Sequence, residues 1–399
     1  MDAELKVLAL IDHLALGGAE MLLGQFAAAA PAAGIRLSVT CLGEVGGNPA
    51  AKPLHAAGIE PVVLNTPQRL GLGALVAVRR HLADVEPDIV HTHLGSAGFL
   101  GSLAARSLHV PSISSIHAIS RPSDLRSRAR MRLVAAARRR GAARIITVSE
   151  AARQAYLARG WDSPHRVVAI HNGIDAVPEP GAGAAVRREL RIDSDAVVLG
   201  MFSALRPEKG HDVAIEALGL LRTRFPKLRM VIAGDGSIRA DLSRLAQPLG
   251  DSIVITGPRF DVMRLLDATD LYLQPSRADA FPTTLLEAMA ASVPVLATDV
   301  GGIREIVVHD LTGVLINAPP TAEQLAEAIG ALLDDPRRRR DLADAGRRRY
   351  EDRFTADPWV RRTRALYDVV LREARAGGSG RRTRRPALAA FSQIPERDE

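Results

Sequence analysis

Residues 276–287 read SRADAFPTTLLE and follow the short apolar run LYLQP (Leu271 to Pro275) without a break. The polar part ends in Phe281 and Pro282. Thr283 and Thr284 then open an apolar helical pattern through Leu285, Leu286, Ala288 and Met289. Proline early in a helix and hydroxyls in its first turn are start signals. The stretch therefore predicts a strand, a loop leaving its C-terminal end, and a helix N-terminus fed by that loop. Open α/β sheets bind ligands at that edge, where free N–H groups favour anions. Asp279 and Glu287 stand at either end, one on the loop and the other about one turn into the helix. A carboxylate suits a vicinal diol, such as a ribose or a sugar ring. Taken alone, the same residues also fit a helix cap followed by a solvated Glu, so the neighbours must decide.

The chain has 399 residues, too many for one ordinary α/β core and about right for two. Hydrophobic residues make up 47%, enough to fill both cores. The net charge of +7, carried mostly by Arg, suggests anionic partners. Aromatics are only 4%, which argues against the stacking platforms used on single-stranded nucleic acid. The single Cys41 lies in the apolar run LSVTCLG and reads as a buried thiol. Asp2 and Glu4 spoil a basic leader, KVLALI is too short for one, and no run reaches the roughly 18 apolar residues of a membrane span. These features predict a soluble, cytoplasmic protein.

Working backwards from the decisive stretch, strand-like and helical runs alternate from KVLALID (Lys6 to Asp12) to RVVAIHN, as in a parallel sheet covered by helices. Polar residues fall at the strand ends: His91, His93, His117, Ser149 and the group His171-Asn172-Gly173. Gly17-Gly18, between the first strand and first helix, lets backbone approach a ligand and leaves N–H groups free for phosphate. There is no G-x-G-x-x-G, so a nicotinamide fingerprint is absent. His91 and His93 share a strand face, but no third metal ligand is near in sequence, so no metal site is expected. His117 reads either as a rim residue or as a hydrogen-bonded core histidine. The run Arg126 to Arg144 fits a basic amphipathic helix on anionic lipid. With mostly Ala on its apolar side, it fits a solvated face better.

AVPEPGAGAAV (Ala176 to Val186) has no apolar periodicity and reads as an interdomain connection. The alternation then restarts, predicting a second parallel α/β domain facing the first across a cleft. The loop LRPEKG offers Arg206 and Lys209, a fork and a point charge suited to a diphosphate, or else plain surface charge. Asp193-Ser194-Asp195 precedes a strand and reads as a turn. From Gly377 the Gly-, Ser- and Arg-rich tail predicts disorder. The expected division is 1–178 for the first domain, 179–187 for the linker, 188–357 for the second domain, 358–376 for a final helix and 377–399 for the basic tail.

Taken in order, GGAE at 17–20, DIVHTH at 88–93, TVSE at 147–150, HNGID at 171–175, RPEKG at 206–210, AGDG at 233–236, D-x7-E at 279–287 and TDVGGIREIV at 298–307 resemble the retaining glycosyltransferases of family 4. The resemblance runs from Lys6 to about Tyr367. It implies the GT-B architecture, two Rossmann-like domains with the acceptor on the first, the nucleotide-sugar on the second, and the last helix crossing back. It implies that Glu287 binds the ribose hydroxyls. Asp279, with Ala280, Phe281, Pro282 and the helix start at Thr283, holds the donor sugar. Lys209 neutralises the diphosphate, aided by Gly17, Gly18 and helix N-termini, and His117 lies beside the donor. Gly234, Asp235, Pro258 and Arg259 line the base side. It further implies transfer of a hexose-type sugar with retention and without metal or other cofactor, the leaving phosphate taking the acceptor proton. The acceptor stays open among saccharide, lipid-linked and small-molecule hydroxyls, and the basic runs leave room for peripheral contact with anionic membrane at its inner face. No specific nucleic acid is expected. Two residues depart from the family pattern. Ala204 stands where the family usually has Arg, five residues before Lys209, and Asp279 stands for Glu. If Arg206 cannot replace the missing cation, the chain becomes a slow enzyme or a nucleotide-sugar-binding partner of another transferase. A nucleotide-sugar epimerase or hydrolase of the same architecture is the remaining alternative.

Overall fold

The computed structural model describes residues 4–15, 17–44, 47–66, 70–118 and 124–378. The first domain is built on strands β1 (Leu5–Ile11), β2 (Ile35–Cys41), β3 (Val62–Val63), β4 (Ile89–His93), β5 (Ser112–Ile116), β6 (Arg144–Thr147) and β7 (Val167–Ala169). They pair in the order β3-β2-β1-β4-β5-β6-β7, every pair parallel. The second domain contains β8 (Val197–Phe202), β9 (Leu228–Ala233), β10 (Ile253–Gly257), β11 (Leu271–Gln274), β12 (Val295–Thr298) and β13 (Val314–Ile316), ordered β10-β9-β8-β11-β12-β13 and again parallel. The expected pair of parallel α/β domains is thus what the chain forms.

Parallel strands covered on both faces read as unbroken apolar runs. In β1, Leu8 and Leu10 pack into one buried cluster with Val90 and Leu100, while Ala9 and Ile11 point into another with Val39 and Leu54. The strand order reverses between β1 and β4 in the first sheet and between β8 and β11 in the second. Such switch points open a crevice at the strand C-termini. The decisive stretch leaves β11 at one of them, and Asp12 and the Leu94–Ser96 turn stand at the other.

Two boundaries differ from expectation. Gly183–Glu189, inside and just past the expected linker 179–187, is helical and packs on the second domain. Asp267 Oδ2 accepts the Gly183 N–H at 2.7 Å, Arg187 donates to Asp270 Oδ2 at 2.9 Å, and Val186 is buried. Good helix formers with a carboxylate at the start outweigh the Gly-rich approach. The last helix runs Ala356–Gly378, so it takes in Gly377 and Gly378; the rest of the expected tail lies outside the described residues. This helix docks on the first domain. Trp359 meets Phe26 edge-on at 5.2 Å, Arg364 Nη1 donates to the carbonyls of Ala33 and Gly34, and Tyr367 Oη lies 2.6 Å from His91 Nδ1. Its approach is seated on HNGID: the Ile174 N–H donates to Phe354 O, and Asp175 accepts the Ala356 N–H.

Candidate active site

The loop after β8 and the loop after β11 meet at the second switch point. Lys209 Nζ lies 2.6 Å from Asp279 Oδ2, which also accepts from Gln274 Nε2 and Ser276 Oγ, each at 3.2 Å. Arg277 locks the two loops together. Its fork grips Asp212 at 2.9 and 2.7 Å, donates to Pro207 O at 2.6 Å, and its own N–H donates to Glu208 O. Gly210 completes the seam: its φ is +73°, and a Cβ there would sit 2.1 Å from Pro275 O. A two-point grip by Arg fixes geometry as well as charge.

Pro282 caps the helix Thr283–Ala290, leaving the Thr283 N–H at an N-terminus that favours anions. Glu287, one turn in, keeps a partly exposed surface and accepts no hydrogen bond on its carboxylate from the described residues. Burial among its neighbours pushes it up to about 7. Tyr272, fully buried below, is pushed up by burial and bonds to Phe202 and Gln274. Phe281 is buried, and its ring stacks on His171 at 5.1 Å, an aromatic contact across the domains.

That contact belongs to a bridge over the cleft. Glu305, in the short helix Ile303–Ile306, accepts the N–H groups of Glu150 and Ala151 at 2.8 and 2.9 Å and lies 2.7 Å from His171 Nε2. Burial opposes its charge, but His171 and the two N–H groups hold the carboxyl below its usual range. Ser149 Oγ donates to Ala280 O at 2.7 Å while accepting the Ala152 N–H. Gly301 and Gly302 admit this packing: Cβ atoms there would sit 1.9 Å from the carbonyls of Asp279 and Ala280.

On the first domain, the switch point holds a row of histidines. His93 Nδ1 lies 3.0 Å from His117 Nε2, and the His91 ring lies tilted against His93, 4.2 Å between centroids, while bonding to Tyr367 and Ser115. Burial drives all three pKa values down, His91 to about 3 and His117 to about 4, with Arg138 adding to the effect on His117. They are therefore neutral hydrogen-bonding groups. His117 Nδ1 and Arg138 Nε are enclosed without a partner among the described residues. Asp12 accepts the Ser96 and Ala97 N–H groups at the start of the helix Gly95–Ser107. Gly17 leaves room for the Glu20 carboxyl, raised by burial, and Gly18 faces open space.

The other expected residues lie at the rim. Arg206 is 64% exposed, pairs loosely with Glu208 at 4.0 Å, and is close enough to Glu20 for the two charges to interact. Gly234, at φ +150°, packs on Ser203 O, and Asp235 Oδ1 accepts the Gly236 N–H. The Arg259 guanidinium is held by Asp261 and Glu189. Gln274, Arg277 and Glu305 carried no expected role. All three lie inside runs quoted above, LYLQP, SRADAFPTTLLE and TDVGGIREIV, but nothing in those runs marked them as the residues that fix the loops.

Residues 184–349 match the family Glycosyl transferases group 1, and residues 16–177 match Glycosyltransferase Family 4. The D-inositol 3-phosphate glycosyltransferase of Thermobispora bispora is 30% identical over 323 residues, 74% of each chain. The chain belongs to this glycosyltransferase family. The corresponding enzyme of Catenulispora acidiphila is 32% identical over 315 residues, again 74% of each chain. Among solved structures, HepE of Anabaena in complex with UDP and glucose superposes with a TM-score of 0.81 at 24% identity, covering 92% of this glycosyltransferase and 100% of that chain. Sucrose-phosphate synthase of Thermosynechococcus elongatus gives 0.76 at 20%, with the same coverage. The architecture of this glycosyltransferase is GT-B. None of its described helices is long and apolar enough to cross a membrane.

Proposed function

We propose that this glycosyltransferase moves a hexose-type sugar from a nucleotide-diphosphate sugar to an acceptor hydroxyl, with retention and without a metal. The observation that carries the reading is the Lys209–Asp279 pair at the start of the Thr283 helix, with Glu287 one turn further on. A diphosphate entering beside Lys209 competes with Asp279 for the ammonium and meets the helix N-terminus. Asp279 is then released toward sugar hydroxyls, and Glu287 toward the ribose diol. The anomeric C–O bond to phosphate breaks, the acceptor oxygen bonds to the anomeric carbon on the same face, and its proton passes to the departing phosphate oxygen. Each preorganised donor aimed at that developing charge is worth about 10²–10³ in rate.

The acceptor side is the first-domain switch point, at Asp12 and the start of the helix Gly95–Ser107, with the buried histidine row and Arg138 packed behind it. The curated relatives act, by name, on D-inositol 3-phosphate, so that compound is the first acceptor to try.

The test is product analysis with UDP-, GDP-, ADP- and dTDP-sugars, with and without acceptor and with and without EDTA. A product of unchanged anomeric configuration, formed only with acceptor and indifferent to EDTA, supports the proposal. Turnover of donor alone points to a hydrolase or epimerase. Tight donor binding with no product points to a binding partner, the reading that Ala204 favours.

A further inference from the structure

The geometry points to a second contact surface, outside the cleft: the outer face of the helix Leu125–Gly141, with Trp161 beside it, docks on an anionic membrane. The helix starts with a capping box in which Asp124 and Ser127 satisfy each other's N–H groups. Its inner side is anchored by Val134, Ala137 and buried Arg138, which donates to Leu94 O. Helical periodicity then fixes the outer side. Leu125, Arg128, Ala129, Arg132, Leu133, Ala136, Arg139 and Arg140 recur at three- and four-residue spacing and share one face. Two of them are large apolar residues in the open, Leu125 at 79% and Leu133 at 50% exposure.

The charge on this face is unbalanced. Arg128, Arg132, Arg139 and Arg140 make no ion pair among the described residues, although most arginines on the second domain's surface find an acid. Arg132, Arg139 and Arg140 instead converge with Gly160 and Trp161 on a surface hollow of about 490 Å³. Trp161 sits at its edge, with Tyr156 against it edge-on and the Arg159 guanidinium over its ring. Uncompensated guanidinium groups around a hollow of headgroup size, flanked by exposed Leu and an amphipathic Trp, match an acidic phospholipid surface. A protein partner with an acidic groove would leave the two exposed Leu without a purpose in a polar rim.

The placement also serves the proposed reaction. Arg130, on the same helix, donates to Ser96 Oγ, and the Ser96 N–H donates to Asp12 at the first switch point. The basic face therefore begins beside the acceptor edge of the cleft. A membrane seated there brings a lipid-linked acceptor hydroxyl to that edge. This last step rests on the proposed glycosyl transfer; the docking itself does not.

The experiment is flotation of the full chain with vesicles of phosphatidylcholine alone or with phosphatidylglycerol, at low and high salt. Binding should need the anionic lipid and weaken with salt. Attraction near such a surface is worth roughly a factor of five per arginine, so Arg132→Gln, Arg139→Gln and Arg140→Gln together should lower binding about 100-fold. A control with Arg188→Gln, Arg340→Gln and Arg348→Gln removes the same charge from elsewhere and should bind like the parent. The chain has two Trp, and Trp359 is buried against Phe26, so brominated lipid should quench Trp161 alone; Trp161→Phe should abolish the quenching. Equal loss in both triple variants, or vesicle binding without quenching, overturns the proposal, as does preference for polyanionic RNA over vesicles at matched charge. Vesicle binding is read without any turnover, so failure of the proposed reaction would leave this outcome legible.

Discussion

Lys209 and Asp279 neutralise each other at the meeting point of two loops, Nζ to Oδ2 at 2.6 Å, with the side chains only 19% and 8% exposed. Removing one partner leaves the other charge in a poorly solvated place, which in buried pairs costs about 3–5 kcal/mol. Gln274 and Ser276 still donate to Asp279, so Lys209→Met should lose less than that, and Tm should fall by a few degrees. Activity should fall about 10²–10³-fold. Adding Asp279→Asn should restore much of the Tm but none of the rate. A double variant as unstable as the single would mean that the pair does not govern this loop's stability.

Glu287 predicts a pH dependence. Burial raises its folded pKa to about 7 from an ordinary value of 4.5. A raised folded pKa contributes stability that is fully present below about 4.5 and is lost as pH rises through about 7. Nucleotide binding should run the other way, because a ribose diol is held by the carboxylate form. Thermal shift by UDP or its competitors should therefore grow between pH 6 and 8. Glu287→Gln should bind weakly at every pH and lose the trend. A Gln variant with the parent's pH profile would remove Glu287 from the nucleotide site.

Ala204 and Arg206 predict an inverted pair of effects. Arg206 is exposed and lightly held, so it can swing toward a diphosphate. If it stands in for the Arg missing at 204, Arg206→Ala should cost about 10-fold or more in kcat/KM and leave Tm unchanged. Ala204→Arg in that background should then recover much of the loss. Recovery is blocked if the close packing of Gly234 and Gly236 on Ser203 O and Leu205 O leaves no path for the new side chain. An Arg206→Ala enzyme with full activity would show that neither position is needed.

The bridge over the cleft predicts a positioning effect. Ser149 touches the backbone of the 276–287 loop, and Glu305 that of the Glu150 helix. Glu305→Gln keeps an acceptor but loses the charge that faces two N–H groups and His171. It should raise the donor KM several-fold with a smaller change in kcat. Ser149→Ala should act in the same direction, and Ser149→Thr should recover. Equal losses of kcat and stability with an unchanged KM would make the bridge a matter of folding alone.

The two sheets and their switch points were legible because buried parallel strands spell apolar runs and their ends spell polar motifs. The decisive loop was legible because Pro282, Thr283 and Thr284 signal a helix start that the structure places at Thr283. Gly183–Glu189 was not, because Pro and Gly upstream masked a helix whose first N–H is satisfied by Asp267, 84 residues away. The Glu305 bridge was hidden for the same reason. Its partners come from another domain, and sequence spacing does not encode which faces meet. Arg259 was read by its motif alone, and only the fold shows Glu189 reaching it.

The last helix carries a prediction of acid sensitivity. Tyr367, whose hydroxyl burial keeps protonated, lies 2.6 Å from His91 Nδ1, and His91 Nε2 lies 2.7 Å from Ser115 Oγ. A neutral imidazole satisfies both contacts, with Tyr367 donating to Nδ1 and Nε2–H donating to Ser115. Burial lowers the folded pKa of His91 to about 3 and of His117 to about 4, whereas the unfolded chain takes up these protons near 6.5. The stabilisation is therefore present above about 6.5 and is lost as pH falls toward 4, at about 1.4 kcal/mol per pH unit for each proton refused. Urea unfolding at pH 7, 6, 5 and 4 should show this slope, and His91→Gln should reduce it by one proton's worth. Tyr367→Phe should cost about 1–3 kcal/mol at pH 7 by stranding Nδ1, and amide exchange should quicken in the helix Ala356–Gly378 before the sheets. Parallel stability curves for parent and His91→Gln would show that the buried histidine row is not what acid attacks.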